Sequence, residues 1–369
     1  ITNAAVLYEK SAPMIDQFNE NSLRKSAFRK RLLNGTATVA ESRGEWAKAE
    51  KLLRELIAMD DENIGASQRL GRAIFQQAVI GDTPEKIKAE NKMYSDSFQA
   101  FLAALKHDPK QLNPNIALGQ LFEQKAQENI GDQKKFDYYR QKAAGLFKEA
   151  TSKAPNDQAV LLAAASWALQ TSQFKLAEQY ADLALKADTN SADAKLARAI
   201  VARFLDDSAT AEKLLSEAFT QSPANFAIIN QLALALIDSQ DSSKRGRARD
   251  LAEMNFRQYQ QSPEALATLG WVYYVTGDLA KAEQALGQLL TANALNADSA
   301  YYVAKLFVDR GKLKEAKEIL KMALDNPKPF ASRIDAQALS MEVDKLIAKG
   351  GEAKASDAKK TETKAPAAK

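Results

Sequence analysis

Small apolar residues recur along this chain at a constant spacing. Ala165 is followed 34 residues later by Ala199 and then by Ala233, and Gly270 is followed at the same distance by Ala304. Within each copy the larger apolar residues lie three or four positions apart, which is the spacing of one face of an α-helix. A fixed period of 34 residues is typical of arrays of helix–turn–helix units. The pattern therefore predicts an all-α chain built from repeated helix pairs.

Each predicted unit carries a small residue in both of its helices, at the point where two helices cross closely. In the first helices these residues are Gly71, Gly119, Ala165, Ala199, Ala233, Gly270 and Ala304, and in the second helices they are Ala49, Ala143, Ala177, Ala211, Ala282 and Ala316. Large apolar residues are expected to fill the space between the helices, at Phe101, Phe147, Leu215, Phe256, Leu286 and Leu320. Pro109, Pro155 and Pro223 are expected to close second helices, because proline cannot continue a helix.

The most complete copy resembles the tetratricopeptide repeat family. The resemblance rests on Leu269-Gly270, Tyr273, Gly277-Asp278, Ala282 and Leu286, together with the prolines after the second helices. It implies a right-handed superhelical solenoid of about eight helix–turn–helix repeats, closed by a C-terminal capping helix.

The resulting organisation has four parts. We expect an N-terminal helix at 1–29, a solenoid at 30–330, a capping helix at 331–349, and a disordered Lys/Ala/Pro tail at 350–369. The solenoid carries insertions near 79–93, 126–139 and 239–247, which form either contact surfaces or simply extended helix ends with a loop. In the capping helix Ile334, Ala338, Met341 and Leu346 have helical spacing and are expected to cover the last repeat.

The basic stretch LRKSAFRKRLL at 23–33 places five basic residues within eight positions. It is interpreted as the solvated face of a packed helix, with Leu23, Phe28 and Leu32 facing inward. A contact with a membrane surface or a nucleic acid is the alternative.

Composition argues against most catalytic chemistry. The chain has no cysteine and one histidine, His107, and its 51 basic and 47 acidic residues give a net charge of +4. Phosphate-binding glycine loops and grouped metal-ligand spacings are absent from the sequence. We therefore expect no catalytic residue, cofactor or metal, no nucleic-acid partner and no transmembrane segment. The basic stretch KRGRAR at 244–249 is interpreted as a soluble insertion, with a nucleic-acid contact as the alternative.

The concave face is the remaining candidate for function. In the family that this chain resembles, ligands lie along the first helices, and the corresponding positions of the last three repeats are Asn230, Gln231, Thr268, Trp271, Tyr274, Tyr301, Tyr302 and Lys305. Aromatic rings with amides and a lysine suit an extended or helical peptide. The alternative is that these rings only pack the first helices against one another. The family's clamp for two carboxylates is not reproduced, because Leu162, Ala163, Leu196 and Ala197 stand where it belongs.

The sequence thus predicts a non-catalytic scaffold that binds a protein or peptide segment in its groove. The segment PEALATLGW at 263–271 resembles repeats of bacterial envelope and export proteins, which implies a role in assembly or secretion of bacterial surface material. The absence of cysteine fits the periplasm or cell envelope, although cytosolic repeat proteins also lack it. Two alternatives stay open: a structural subunit packed through its convex face and insertions, and the repeat portion of a longer enzyme or regulator.

Overall fold

A computed structural model describes the backbone of residues 2–78, 83–239 and 241–362, and their side chains up to residue 349. Within these residues all regular elements are helices, as predicted. The chain divides into two compact units, Ile1–Ala164 and Ala165–Lys369. Successive helices within each unit pack as antiparallel neighbours in helix pairs, which is the predicted all-α repeat fold.

The helices of the first unit are α1 (Thr2–Gln17), α2 (Ser22–Ser42), α3 (Trp46–Met59), α4 (Ile64–Gln76), α5 (Pro84–His107), α6 (Pro114–Glu128) and α7 (Gln133–Lys153). Helix α8 (Gln158–Gln170) contains the boundary between the units. The second unit holds α9 (Phe174–Ala187), α10 (Ala192–Phe204), α11 (Ser208–Gln221), α12 (Phe226–Ile237), a 3₁₀ turn (Ser242–Lys244), α13 (Arg245–Gln258), α14 (Pro263–Val275), α15 (Leu279–Thr291), α16 (Ala297–Asp309), α17 (Leu313–Leu324) and α18 (Arg333–Glu362).

Local sequence explains where the first helices of the second unit begin. Ser191, Asn225, Ser262 and Asn296 are the N-caps of α10, α12, α14 and α16, and each side chain accepts a hydrogen bond from a backbone N–H of the first turn. These bonds satisfy donors that the helix itself leaves unpaired. The turn between α14 and α15 needs Gly277 at a φ of 84°, a left-handed conformation that glycine adopts without strain.

The predicted helix crossings are confirmed at the three glycines. A Cβ atom built on Gly71 or Gly119 would lie 2.9 Å from the ring of Phe101 or Phe147, respectively. A Cβ atom on Gly270 would lie 2.7 Å from the side chain of Leu286. Since real Cβ contacts are longer than this, glycine is what lets the two helices of each pair approach.

The insertions of the first unit lengthen second helices. Helices α5 and α7 have 24 and 21 residues, whereas α9 and α11 have 14 each. Residues 79–82 of the first predicted insertion and residue 240 of the third lie outside the described residues. The insertions were interpreted either as contact surfaces or as extended helix ends with a loop. Helices α5 and α7 have such extended ends.

The added turns of α5 and α7 are joined by a buried carboxyl group. Glu90 of α5 is 4% exposed, and its Oε1 accepts hydrogen bonds from the hydroxyls of Tyr94 (2.7 Å) and Tyr138 (2.6 Å). Burial, followed by the hydrogen bond to Glu90, raises the pKa of both tyrosines well above the usual value. Tyr94 also packs edge-on against Phe122, with 4.7 Å between ring centroids. The extensions therefore form a small polar centre inside an aromatic cluster.

Removing one hydroxyl from this centre is expected to destabilise the first unit. Tyr138→Phe should lower the free energy of unfolding by about 1–2 kcal/mol, because Glu90 loses one of its two donors while remaining buried. Tyr139→Phe is the matched control, since the Tyr139 hydroxyl makes no hydrogen bond to any described residue. Urea denaturation followed by circular dichroism compares the two variants, and equal stabilities would show that the Glu90 bond contributes nothing.

The N-terminal segment differs from the single helix predicted at 1–29. It forms two helices, α1 and α2, separated at residues 18–21. The break follows from Asn21, whose side chain accepts a hydrogen bond from the backbone N–H of Arg24 and so begins a new helix. The expected inward position of Leu23 was wrong, because its side chain is 81% exposed. Phe28 and Leu32 are half-buried between the two helices.

The capping helix was predicted with the wrong face inward. Helix α18 does pack on α17, but through Ala336, Leu339 and Val343, which are all buried. Ile334, Met341 and Leu346 of the predicted stripe are exposed, as is Ala338. The helical backbone also continues past the predicted end at 349 to Glu362, where a disordered tail was expected; Ala, Lys and Glu are strong helix formers. The remaining tail, 363–369, lies outside the described residues.

Candidate peptide-binding face

The predicted groove residues lie on three consecutive first helices of the second unit. Helix α12 contacts α14, and α14 contacts α16, so these helices form one layer. Their partners α13, α15 and α17 each pack behind them as second helices. The arrangement brings residues of three repeats, about 34 positions apart in sequence, to a common surface.

Trp271 lies at the centre of an aromatic stack. Its ring is nearly parallel to that of Tyr302 on α16, with 4.5 Å between centroids and an angle of 13°. Tyr274 stacks on Trp271 at 5.2 Å and 16°. Tyr301 meets Trp271 at 5.7 Å with a tilt of 53°. Stacked rings of this kind contribute beyond the area they bury, and they hold Trp271 in a fixed orientation.

Hydrogen bonds also join neighbouring first helices on this surface. The indole Nε1–H of Trp271 donates to Asp238 Oδ1 at 3.0 Å, and Arg203 of α10 donates to Asp238 Oδ2 at 3.1 Å. Arg203 also donates to Gln231 Oε1 at 2.6 Å. The hydroxyl of Tyr274 donates to Asp309 Oδ2 at 2.6 Å. Each of these polar groups has a partner on an adjacent repeat, so the surface is pre-organised.

The structure divides the eight predicted residues into two groups. Asn230, Thr268, Tyr301 and Tyr302 are buried, and Asn230 accepts a hydrogen bond from Asn255 at 3.4 Å. Gln231, Trp271, Tyr274 and Lys305 are partly exposed. The first group shapes and supports the layer from within, whereas the second group is accessible to a ligand. We call the accessible set, with Arg203, Asp238 and Asp309, the Trp271 face.

Sequence reasoning missed Arg203, Asp238 and Asp309. Arg203 and Tyr274 both stand four residues after the small crossing residue of their repeat, while Asp238 and Asp309 both stand five residues after theirs. The pairs Arg203–Asp238 and Tyr274–Asp309 are therefore the same inter-repeat contact made twice, each across 35 residues. A donor at one position and an acid 35 residues later was the signal that could have identified them.

Carboxyl groups crowd one side of the Trp271 face. Burial, followed by repulsion from Asp238 and Asp206, raises the pKa of Asp335 above its usual value, and Lys305 opposes this shift. Burial and then the charges of Asp335 and Asp238 raise the pKa of the Tyr301 hydroxyl to about 12. Asp206, Asp238 and Asp335 are therefore close enough to one another to interact electrostatically, with Lys305 beside them.

A cavity of about 140 Å³ lies beside the stack. Arg203, Gln231, Glu264, Thr268 and Tyr302 are among its lining residues. It is large enough for one side chain of a ligand and offers both charged and amide groups. Such a recess next to an exposed aromatic surface is a common feature of peptide-binding sites.

The groups considered for catalysis are isolated in the structure. His107 is exposed at the end of α5, and the described residues contain no cluster of three or more potential metal ligands. In the stretch KRGRAR, Lys244 pairs with Glu212 at 2.6 Å and Arg249 pairs with Glu253 at 3.0 Å, so two of its four cations serve contacts within the fold. Among the described helices, none is long and apolar enough to cross a membrane.

Comparison with known families decides the nature of the repeats. Residues 267–330, which contain Trp271, Tyr274 and all of α16, match the tetratricopeptide repeat family. The two helix pairs α14–α15 and α16–α17 are therefore similar to tetratricopeptide repeats. The repeat period, the small residues at the helix crossings and the paired helices agree with this assignment.

Several solved structures are similar to this chain at low sequence identity. The human IFIT1 dimer with PPP-AAAA is similar with a TM-score of 0.51 and 15% identity, over 94% of this chain and 79% of that one. A thermophilic tetratricopeptide repeat protein of Thermus thermophilus has a TM-score of 0.43 and 18% identity, over 50% and 98%. The pilF protein of Pseudomonas aeruginosa has a TM-score of 0.40 and 18% identity, over 61% and 96%. A comparison with curated proteins gives no match.

Proposed function

We propose that this protein is a non-catalytic scaffold whose Trp271 face binds a peptide segment of a partner protein. The observation that carries the proposal is the partly exposed Trp271–Tyr274 pair, held between Tyr302 and Asp238 by stacking and a 3.0 Å hydrogen bond. A rigid aromatic surface offers contact area at low entropic cost to the protein, because its side chains are ordered before binding.

The polar groups around the rings favour a basic segment. Asp238, Asp309 and Asp335 lie close to the stack, and the cations of the Trp271 face that balance them are Arg203 and Lys305. A lysine or arginine side chain of the partner would contact both carboxylates and aromatic rings on this face. A basic ligand has the opposite charge to the carboxylates that the family's clamp binds. The residues of that clamp are absent from the sequence.

Site-specific photo-cross-linking tests the proposal. A photoreactive amino acid replaces Lys305, which is partly exposed on the Trp271 face, or Leu290 of α15, which is 40% exposed on a second helix. We expect a discrete cross-linked partner in cells of the source organism from position 305, and much less from position 290. Peptide mapping should place the cross-link in a segment that contains lysine or arginine. Cross-links that are equal at both positions, or absent from both, would contradict the proposal.

A further inference from the structure

The hairpin of α1 and α2 carries an apolar surface that the fold leaves open. Tyr8, Met14 and Ile15 of α1, with Phe18 after its end, face Phe28 and Leu32 of α2 across a groove of about 410 Å³. Phe18 and Phe28 meet edge to face at 5.7 Å between ring centroids. Gly35 fixes this geometry, since a Cβ atom at Gly35 would overlap the ring of Tyr8.

The apolar side chains at the rim of this groove point into solvent. Leu7 and Met14 are 64% and 70% exposed, while Ala5 is the one buried residue of α1 in the described structure. Leu7, Ser11, Met14 and Phe18 follow the spacing of one helical row, so Leu7 continues the groove wall. Large side chains exposed to this extent in a cluster usually mark a surface that another body covers.

Basic residues border the same surface. Residues 22–33 contain Arg24, Lys25, Arg29, Lys30 and Arg31 and no acidic residue. Arg29 pairs with Asp16 at 3.0 Å, and Lys30 pairs with Asp60 at 3.5 Å. Arg24 and Arg31 make no ion pair with any other described residue, and Arg31 lines the groove directly. Arg24, Phe28 and Arg31 are three and four residues apart, which places both free cations on the groove side of α2.

We propose that the α1–α2 hairpin binds the surface of a membrane that contains anionic phospholipids. Leu7 and Met14 enter the boundary between headgroups and acyl chains, and Arg24 and Arg31 contact the lipid phosphates. The hairpin surface is complementary to an anionic membrane in both charge and polarity. Its exposed apolar side chains suit the acyl-chain boundary, and its unpaired cations suit the lipid phosphates. The acidic residues of the hairpin are Glu9, Glu20, Asp16, which pairs with Arg29, and Glu41, which pairs with Arg69. With Lys10 and the five basic residues of 22–33 they leave the net charge of the hairpin positive.

Co-sedimentation of the full chain with lipid vesicles tests this proposal. We expect binding to vesicles of phosphatidylcholine with phosphatidylglycerol, weak binding to phosphatidylcholine alone, and a loss of binding as salt is raised. Leu7→Asp with Met14→Asp should reduce the partition coefficient by about tenfold or more, because two apolar side chains no longer enter the interface. Arg24→Glu with Arg31→Glu should reduce it similarly for the anionic vesicles only.

Matched controls come from exposed residues elsewhere. Leu183→Asp with Leu290→Asp changes two exposed leucines, and Arg245→Glu with Arg247→Glu changes two exposed arginines. Both control pairs should bind vesicles as the wild type does, and circular dichroism should show every variant folded. Absence of vesicle binding by the wild type would overturn the proposal. Equal losses in hairpin and control variants would also overturn it, since binding would then depend on overall charge or hydrophobicity.

Discussion

Phe147→Ala is expected to lower the free energy of unfolding by about 3–5 kcal/mol, which is typical of removing a fully buried phenylalanine. The Phe147 side chain is completely buried on α7 and contacts Gly119 of α6, where the two helices cross. Its removal leaves a cavity that the backbone of Gly119 cannot fill. The free energy of unfolding, measured by urea denaturation and followed by circular dichroism, gives the size of the loss.

Phe136→Ala is the matched control for this measurement. Phe136 lies on the same helix but is only half-buried, and its ring contacts the guanidinium of Arg140 at 4.6 Å. We expect a loss of about 1 kcal/mol for this variant, since a cation–π contact at a partly exposed site is weak. A loss for Phe147→Ala no larger than for Phe136→Ala would show that α6 and α7 do not cross through Phe147.

Gly270→Leu is expected to destabilise the second unit by about 1–3 kcal/mol or more through overpacking. The new side chain would occupy the position of the Leu286 side chain, and Ala285 Cβ lies 3.3 Å from the first added atom. Leu286 is fully buried, so it has no space into which it can move. Helices α14 and α15 would have to separate, and the midpoint of urea denaturation should fall accordingly.

Gly287→Leu separates this effect from the general consequence of replacing a helical glycine. Gly287 lies within α15, and a Cβ atom there has no neighbour within 4 Å. This variant should be unchanged or more stable by up to about 1 kcal/mol, because leucine has a higher helix propensity than glycine. Parallel losses in both variants would contradict the close crossing of α14 and α15 at Gly270.

The repeat period predicted the fold because it constrains many positions at once. Gly71, Gly119 and Gly270 could be paired with Phe101, Phe147 and Leu286 from spacing alone, even where insertions lengthened the second helix. A close helix crossing admits few residue types, so it leaves a clear pattern in the sequence.

Helices α1, α2 and α18 could not be predicted equally well, because the repeat period does not constrain which of their faces is buried. In α18 two different stripes have helical spacing, one with Ile334 and Met341 and one with Leu339 and Val343. The position of the preceding helix α17 selects the second stripe, and that is a tertiary contact. At the other end Leu23 follows a break at residues 18–21 that a continuous helical pattern conceals.

The candidate site was only partly predictable for a related reason. Family resemblance indicated the first helices, but adjacent residues such as Tyr301 and Tyr302 are both aromatic, and both proved to be buried. The hydrogen bonds that pre-organise the Trp271 face depend on Asp238 and Asp309, which stand at the ends of their helices. Both aspartates accept hydrogen bonds from side chains of an adjacent repeat. Inspection of the sequence of a single repeat does not reveal such a contact.

Quantitative affinity capture tests the central claim, that the Trp271 face binds a partner segment. Three proteins are used to capture partners from the source organism. They are the wild-type full chain, the double variant Trp271→Ala with Tyr274→Ala, and the control double variant Leu183→Ala with Leu290→Ala. Circular dichroism must first show all three folded to the same extent. We expect one protein to be captured by the wild type and by the control variant, and to be lost with the Trp271→Ala, Tyr274→Ala variant. Capture of the same proteins in equal amounts by all three would contradict it.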